Sequence, residues 1–326
     1  MKRFLIIWII ALLFTRCAEE IDLQGNLESI PVVYCLLDLN SEDQFVRISR
    51  TWLLDTESST QPPATDSLIF SEPAVIYIEK WVENIPVSTY LFTKTTLVKD
   101  SGYFPIKGQD VYMSNFKPET SIRYVLYVYF PVIKRVLSAE TFTTSFPVPE
   151  DPRGDLPREI TITRDRGYTT RWFSVRNAGC YQGIFTLNYL EKINDSYAFQ
   201  KISLPFDNVI IDRPDELISQ VLNPNRFFNG MTLNIPINPA AQRELIGMEF
   251  TLVAGGQELG MSLRTTDIRD FTLDNDFTNV DNGIGLFSSI ARTWVTNLKF
   301  SDLTYEAIAN DSALKPLNFK RQLSPR

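Results

Sequence analysis

The sequence predicts a mainly β protein, and three observations lead there. The 326-residue chain is 44% hydrophobic and 12% aromatic with 22% charged residues, enough apolar material for a sizeable core and too little charge for a disordered chain. Short runs rich in Val, Ile, Tyr, Phe and Thr recur along most of its length, several alternating with period 2 as half-buried strands do. Turn-forming clusters, LNSED (39–43), SGYFP (101–105) and NFKPET (115–120), separate them. Length and a proline-rich stretch near the middle divide the chain into two domains.

The first element is not part of the fold. Met1-Lys2-Arg3 is followed by the apolar run Phe4 to Phe14, too short to span a bilayer comfortably, so residues 1–16 are predicted to be a secretion signal peptide. Cys17, directly after it, resembles the cysteine of a bacterial lipobox, whose thiol is acylated with fatty chains such as palmitate and becomes the first mature residue. Arg16 stands where that motif usually has a small residue. Two acyl chains would anchor the chain firmly, since each buried methylene contributes about 0.8 kcal/mol. Residues 17–30 are predicted to be a tether, and its Glu19, Glu20 and Asp22 are similar to the acidic export signal of Bacteroidota surface lipoproteins. Cys35 and Cys180 sit in apolar surroundings far apart in sequence and read as two buried free thiols.

Residues 31–145 are predicted to form an immunoglobulin/fibronectin-like β-sandwich. Its strands are PVVYCLL (31–37), FVRISRTWLL (45–54), AVIYIEKWV (74–82), STYLFTKTTLV (88–98), YVLYVYF (124–130) and VLSAETFTT (136–144). The closing pattern, KPETSIRYVLYVYF followed by VLSAETFTT, resembles the last two strands of fibronectin type III modules. Residues 55–73 are too long and polar for a hairpin turn, and read either as a binding loop or as a bland insertion at the sandwich rim.

Residues 146–158, with Pro147, Pro149, Pro152 and Pro157, read as an extended connector. Beyond it, 159–320 is predicted to be a β-rich C-terminal domain with one or two short helices, and 321–326 a tail. EITITR, TTRWFSVRN, YQGIFTLNYLEKI, YAFQKISLPF, MTLNIPI and MEFTLVA read as strands. Asp212 to Glu216 followed by Leu217, Ile218, Val221 and Leu222 predicts a short capped helix, and 256–266 reads as a helix or a hairpin.

Composition excludes several functions. There is no histidine, so imidazole-based catalysis and histidine metal sites are out of reach. The formal charge is −7, and no Lys/Arg cluster suits phosphate neutralisation, which argues against nucleic acid. Only carboxylate chemistry remains for an enzyme, with two acids facing each other at about 5–10 Å, and no pair stands out, so the chain reads as non-enzymatic. The Gly283 and Gly285 of FTNVDNGIGLFSS (277–289) lack the lysine and third glycine of nucleotide-binding loops and read as a tight turn. Before that turn, Asp274, Asp276, Asn279 and Asp281 supply oxygen atoms suited to Ca²⁺, but Asn279 stands where the EF-hand needs glycine, and a solvated acidic loop is the favoured reading. Trp52, Trp81, Trp172 and Trp294 read as packing residues, with sugar-binding platforms as the alternative.

Several segments together resemble one family: uncharacterised Bacteroidota surface lipoproteins, often encoded beside TonB-dependent receptors. The carriers are PVVYCLLDLNSEDQFVRISRTWLL, the Asp66-Ser67 pair, NAGCYQGIFTLNYLE and FTNVDNGIGLFSS. The resemblance implies an outer-membrane, lipid-anchored, surface-exposed location and a TonB-dependent transporter or other outer-membrane β-barrel as partner, with no active site. A surface protein capturing a glycan or peptide nutrient is the alternative.

Overall fold

The alternating runs of the N-terminal half become seven strands: β1 (Pro31–Asp38), β2 (Asp43–Arg50), β3 (Val75–Val82), β4 (Ile85–Leu97), β5 (Gln109–Asn115), β6 (Arg123–Phe130) and β7 (Arg135–Phe142). The computed structural model describes residues 30–51, 73–97, 109–154, 159–267, 277–321 and 323. β1 shows the period plainly, with Val33, Cys35 and Leu37 buried and Tyr34 and Leu36 exposed between them. One sheet runs β1-β2-β5 and the other β4-β3-β6-β7. β4 belongs to both, pairing with β3 through Phe92 and with β5 from Thr93 onward.

The inner faces of the two sheets close over Val33, Leu37, Val46, Ile76, Ile78, Leu126 and Val128. Tyr124, fully buried at the start of β6, accepts a 3.0 Å hydrogen bond at its hydroxyl from the Glu119 backbone N–H. This is the tyrosine corner of immunoglobulin-like sandwiches, and the expected β-sandwich is present. One of its strands, β5, lies where the sequence reading placed none.

The second half contributes β8 (Pro149–Asp151), β9 (Glu159–Ile160), β10 (Tyr168–Phe173), β11 (Ala178–Ile193), β12 (Ser196–Pro205), β13 (Val209–Ile210), β14 (Leu217–Leu222), α1 (Pro224–Asn234), β15 (Ala241–Gly256), α2 (Gln257–Asp267), β16 (Val280–Asp281), β17 (Ile284–Phe300), α3 (Asp302–Asn310) and β18 (Phe319–Lys320). A sheet β12-β11-β15-β17 and a smaller one, β14-β10-β8, enclose Trp172, Tyr181, Phe185, Phe227, Phe228 and Phe250. Tyr181 repeats the corner device, its hydroxyl accepting from the Val175 N–H at 2.6 Å.

Strand β17 joins the halves. Its first part lies parallel to β1, from Val32 opposite Ile284 to Asp38 opposite Ile290. Its second part lies antiparallel to β15, from Gly255 opposite Ile290 to Met248 opposite Leu298. Gly285 (φ +136°) lies so close to β1 that a Cβ there would run into the Val33 carbonyl, which is why this strand carries glycine.

The expected domain boundaries therefore need correction. Val280 and Phe287 belong to the sandwich core and β16 pairs with β7, so the stretch around 280–290 completes the N-terminal unit. The expected connector 146–158 contains β8, which pairs with β10. The helix expected after Asp212 is instead β14. Ile218 and Leu222 fit period 2 as well as a helical period, and the six-residue register against β10 decides between them. The helix starts one step later, where the Asn223 side chain caps Arg226 N–H at 2.7 Å and Pro224 opens the first turn. That helix, α1, takes in MTLN, read from sequence as strand. The open choice at 256–266 resolves as helix α2, and α3 is a further helix.

Candidate functional site

The outer face of β4-β3-β6-β7 stands out among the described surfaces. Register puts Leu91, Tyr77, Tyr127 and Ser138 in one row across the four strands, and Val75, Tyr129 and Val136 in the next. The Tyr77 and Tyr127 rings stack at 5.0 Å. Leu91 is 61% exposed, and Val75, Tyr129 and Val136 are exposed beside it. Strand β6 is apolar at every position from Tyr124 to Phe130, and among the described residues its outward Tyr129 and the neighbouring Leu91, Val75 and Val136 stay exposed. Contiguous apolar surface of this kind marks an interaction site. Toward the joint the same face turns polar: Trp81 donates to Glu79 at 3.1 Å, Arg123 lies 5.1 Å over the Trp81 ring, and Arg123 pairs with Glu140 at 2.5 Å.

A second feature is a cavity of about 270 Å³ in the C-terminal unit, lined by Arg176, Asn177, Ile210, Arg213, Met261 and Arg264 among others. Arg264 pairs with Asp212. Arg176 and Arg213 carry no ion pair to a described residue, so the cavity wall bears excess positive charge in an acidic protein. Its walls are held firmly. Ser174, buried, accepts from Asp215 N–H and Glu216 N–H and donates to the Glu216 and Arg213 carbonyls. Gly260 of α2 packs directly on the Gly179 backbone, where a side chain has no room.

Between the two features lies the joint of the units. Gln44, buried, fills the β1–β2 turn by donating to the Asp38 and Ser41 carbonyls and accepting from Asp38 N–H. The turn then grips β17 through an Asp38–Arg292 ion pair of 2.6 Å and a pair of hydrogen bonds between Asn40 and the Arg292 backbone. On the other side, Glu258 of α2 accepts from Thr141 at 2.8 Å and Ser288 at 3.0 Å. Burial pushes its carboxyl above the ordinary value, partly offset by these hydrogen bonds.

Compared with family models and with curated proteins, the chain matches none. Cys17, Glu19, Glu20 and Asp22 lie outside the described residues, as do Asp274, Asp276, Trp52 and all of 55–73 except Pro73. Of the proposed calcium ligands, Asp281 accepts from Ser138 at 3.3 Å. Asn279 is committed to backbone, donating to the Glu140 and Phe287 carbonyls and accepting from Phe287 N–H. Among the described residues no cluster of three or more acidic or thiol groups suits a metal ion. The turn reading of FTNVDNG holds, with Asn282 rather than Gly283 taking the positive φ (60°).

Cys35 and Cys180 are free and buried, and burial raises both thiols, Cys180 to about 11, so neither is poised as a nucleophile. Trp172 is core, as expected, whereas Trp294 is half exposed. Sequence reasoning missed the arginine cavity because Arg176, Arg213 and Arg264 are scattered over 89 positions and no pattern joins them. The tyrosine face had a signal: YVLYVYF is apolar at every position, which in an antiparallel strand means that both faces are covered or that one awaits cover.

Proposed function

We propose that this protein is a non-enzymatic lipoprotein, anchored through Cys17 to the outer membrane and exposed at the cell surface, serving as an accessory subunit of a TonB-dependent transporter or another outer-membrane β-barrel. The observation that carries this is the uncovered apolar-aromatic face around Leu91, Tyr77, Tyr127 and Tyr129, a flat surface suited to another protein's wall. Supporting it are the signal segment, the lipobox-like cysteine with its acidic followers, and the family resemblance. Among the described residues no helix is long and apolar enough to cross a membrane.

A tagged chain purified in mild detergent should bring down an outer-membrane β-barrel, and Leu91→Asp with Tyr77→Ser should abolish the capture while leaving membrane fractionation intact. Recovery of the wild-type lipoprotein alone, or a Cys17→Ser chain that fractionates unchanged, refutes the proposal.

The cavity favours a second reading, capture of a carboxylate-bearing glycan or peptide. Arginine forks bind carboxylates in bidentate fashion. A ligand at one hundred times its dissociation constant would stabilise the fold by about 2.7 kcal/mol. A thermal-shift screen with uronate oligosaccharides and acidic peptides tests this, and a response that survives Arg176→Ala with Arg213→Ala counts against the cavity.

A further inference from the structure

We propose that the β6–β7 hairpin tip, Pro131-Val132-Ile133-Lys134, is a second membrane contact that seats the sandwich on an anionic lipid surface; this rests on the lipid-anchored reading above.

The argument is one of placement. β1 begins at Pro31, and the pairing registers put the end of β2, the start of β3, the end of β4, the start of β5, the β6–β7 turn and the start of β17 at that same end of the sandwich. The opposite end carries the joint to the second unit through Asp38, Asn40 and Thr141. A chain held at Cys17 therefore presents to the membrane the end that bears this hairpin. Cys17 and Ile30 are 13 residue steps apart, which spans at most about 45 Å, so anchoring at Cys17 keeps this end of the sandwich close to the surface at high effective concentration.

The tip has the matching chemistry. Val132 is 63% exposed and Ile133 46%, two aliphatic side chains at the apex of a hairpin, where a soluble turn carries Asn, Gly or Asp. Lys134 takes positive φ (51°) and Arg135 follows, and neither has an ion-pair partner among the described residues. Aliphatic residues at an apex with cations directly behind them match the boundary between acyl chains and anionic headgroups. The nearby exposed Val136, Tyr129 and Val75 continue the apolar surface upward. One segment would then orient the tyrosine face sideways, toward a neighbour in the same membrane.

The test uses the full chain as isolated from its membrane, reconstituted into vesicles of phosphatidylethanolamine and phosphatidylglycerol. An environment-sensitive fluorophore is placed through Ile133→Cys, with Ser196→Cys in the distal β11–β12 hairpin as control; Cys35 and Cys180 are buried and resist labelling. The probe at 133 should shift to the blue and be quenched at least threefold more by brominated lipid than the probe at 196. Adding Val132→Asp, which touches only an exposed side chain, should return the probe to water with an unchanged melting temperature. Mass spectrometry of the N-terminal peptide reports acylation separately. An acylated chain whose two probes are equally wet overturns the membrane contact and leaves the anchor standing. A chain without acyl groups that stays in solution with both probes wet overturns both.

Discussion

Arg243 offers the sharpest test of how the C-terminal unit is held together. Its side chain is fully buried. Nε donates to Glu191 at 2.8 Å, Nη2 reaches the same carboxylate at 2.6 Å and the Pro236 carbonyl at 2.9 Å, and Nη1 reaches the Leu317 carbonyl at 2.8 Å. One guanidinium thus ties β11 and β15 to the loop before β15 and to the C-terminal segment. Arg243→Met keeps much of the volume but leaves Glu191, 15% exposed, without its cation and two carbonyls without donors. Breaking a buried pair from one side costs about 3–5 kcal/mol. Each orphaned carbonyl adds about 1–3 kcal/mol if it stays dry; Pro236 is exposed and its carbonyl can take water, so the low end for the pair and for the buried Leu317 carbonyl gives about 4 kcal/mol in all. With a urea slope of about 3 kcal/mol/M for a chain of this size, the midpoint should fall by roughly 1.3 M. Glu191→Met added to Arg243→Met removes the stranded charge and should recover about half of the loss. A single-variant loss under about 1 kcal/mol, or a double variant no better than the single, would refute the reasoning.

Three further outcomes follow from the same structure. Tyr124→Phe strands the Glu119 N–H and should cost about 1 kcal/mol, seen as a melting point lower by roughly 2–4 °C; an unchanged melt would show that the corner carries no weight. Because burial raises the Glu258 carboxyl in the fold, its contribution to stability is fullest below the ordinary value of 4.5 and is lost as pH rises through the raised value. Glu258→Gln keeps an acceptor for Thr141 and Ser288, so its stability, followed by denaturant midpoint across acid and neutral pH, should fall less with rising pH than the wild type's; parallel curves count against this. Phe287→Ala should remove about 3–5 kcal/mol from the sandwich core. Since β17 edges both units, fluorescence of the buried Trp172 in the other unit should report the same lowered midpoint, and an unshifted Trp172 transition would separate them.

What the sequence could disclose depended on the range of the interaction. The sandwich was legible because β1, β3, β6 and β7 are each rich in β-branched and aromatic residues and their turns lie next to them. The Asp212–Leu222 stretch misled because its apolar positions satisfy two periods, and the deciding partner, β10, lies some fifty residues away. The boundary at 146–158 looked like a linker because prolines mark extended chain equally in a connector and in an edge strand such as β8. Least legible was β17. Its run from Ile284 to Phe300 reads as one strand, but nothing local says that its first half pairs with a strand 252 positions earlier. FTNVDNGIGLFSS did stand out, and the structure gives the reason: Thr278, Asn279, Asn282 and Gly285 are the residues that turn the chain back and press it onto β1. The tight turn read from the sequence is also a closing device.

Strand β17 also orders the surfaces by height. At about 3.3 Å per residue, its first seven residues run roughly 20 Å from the tether end to the joint at Ile290, and its 17 residues span about 56 Å in all. The tyrosine face lies along the lower stretch, while Gly255 stands opposite Ile290 at the joint and leads directly into α2, one wall of the arginine cavity. Under the anchored reading, a barrel protruding a short way from the membrane meets the tyrosine face first, and the cavity opens above it near the barrel's mouth. The accessory role and the capture of an anionic ligand then cease to compete, because a ligand held in the cavity beyond the joint would be close to the entrance of the partner on which the lower face is docked.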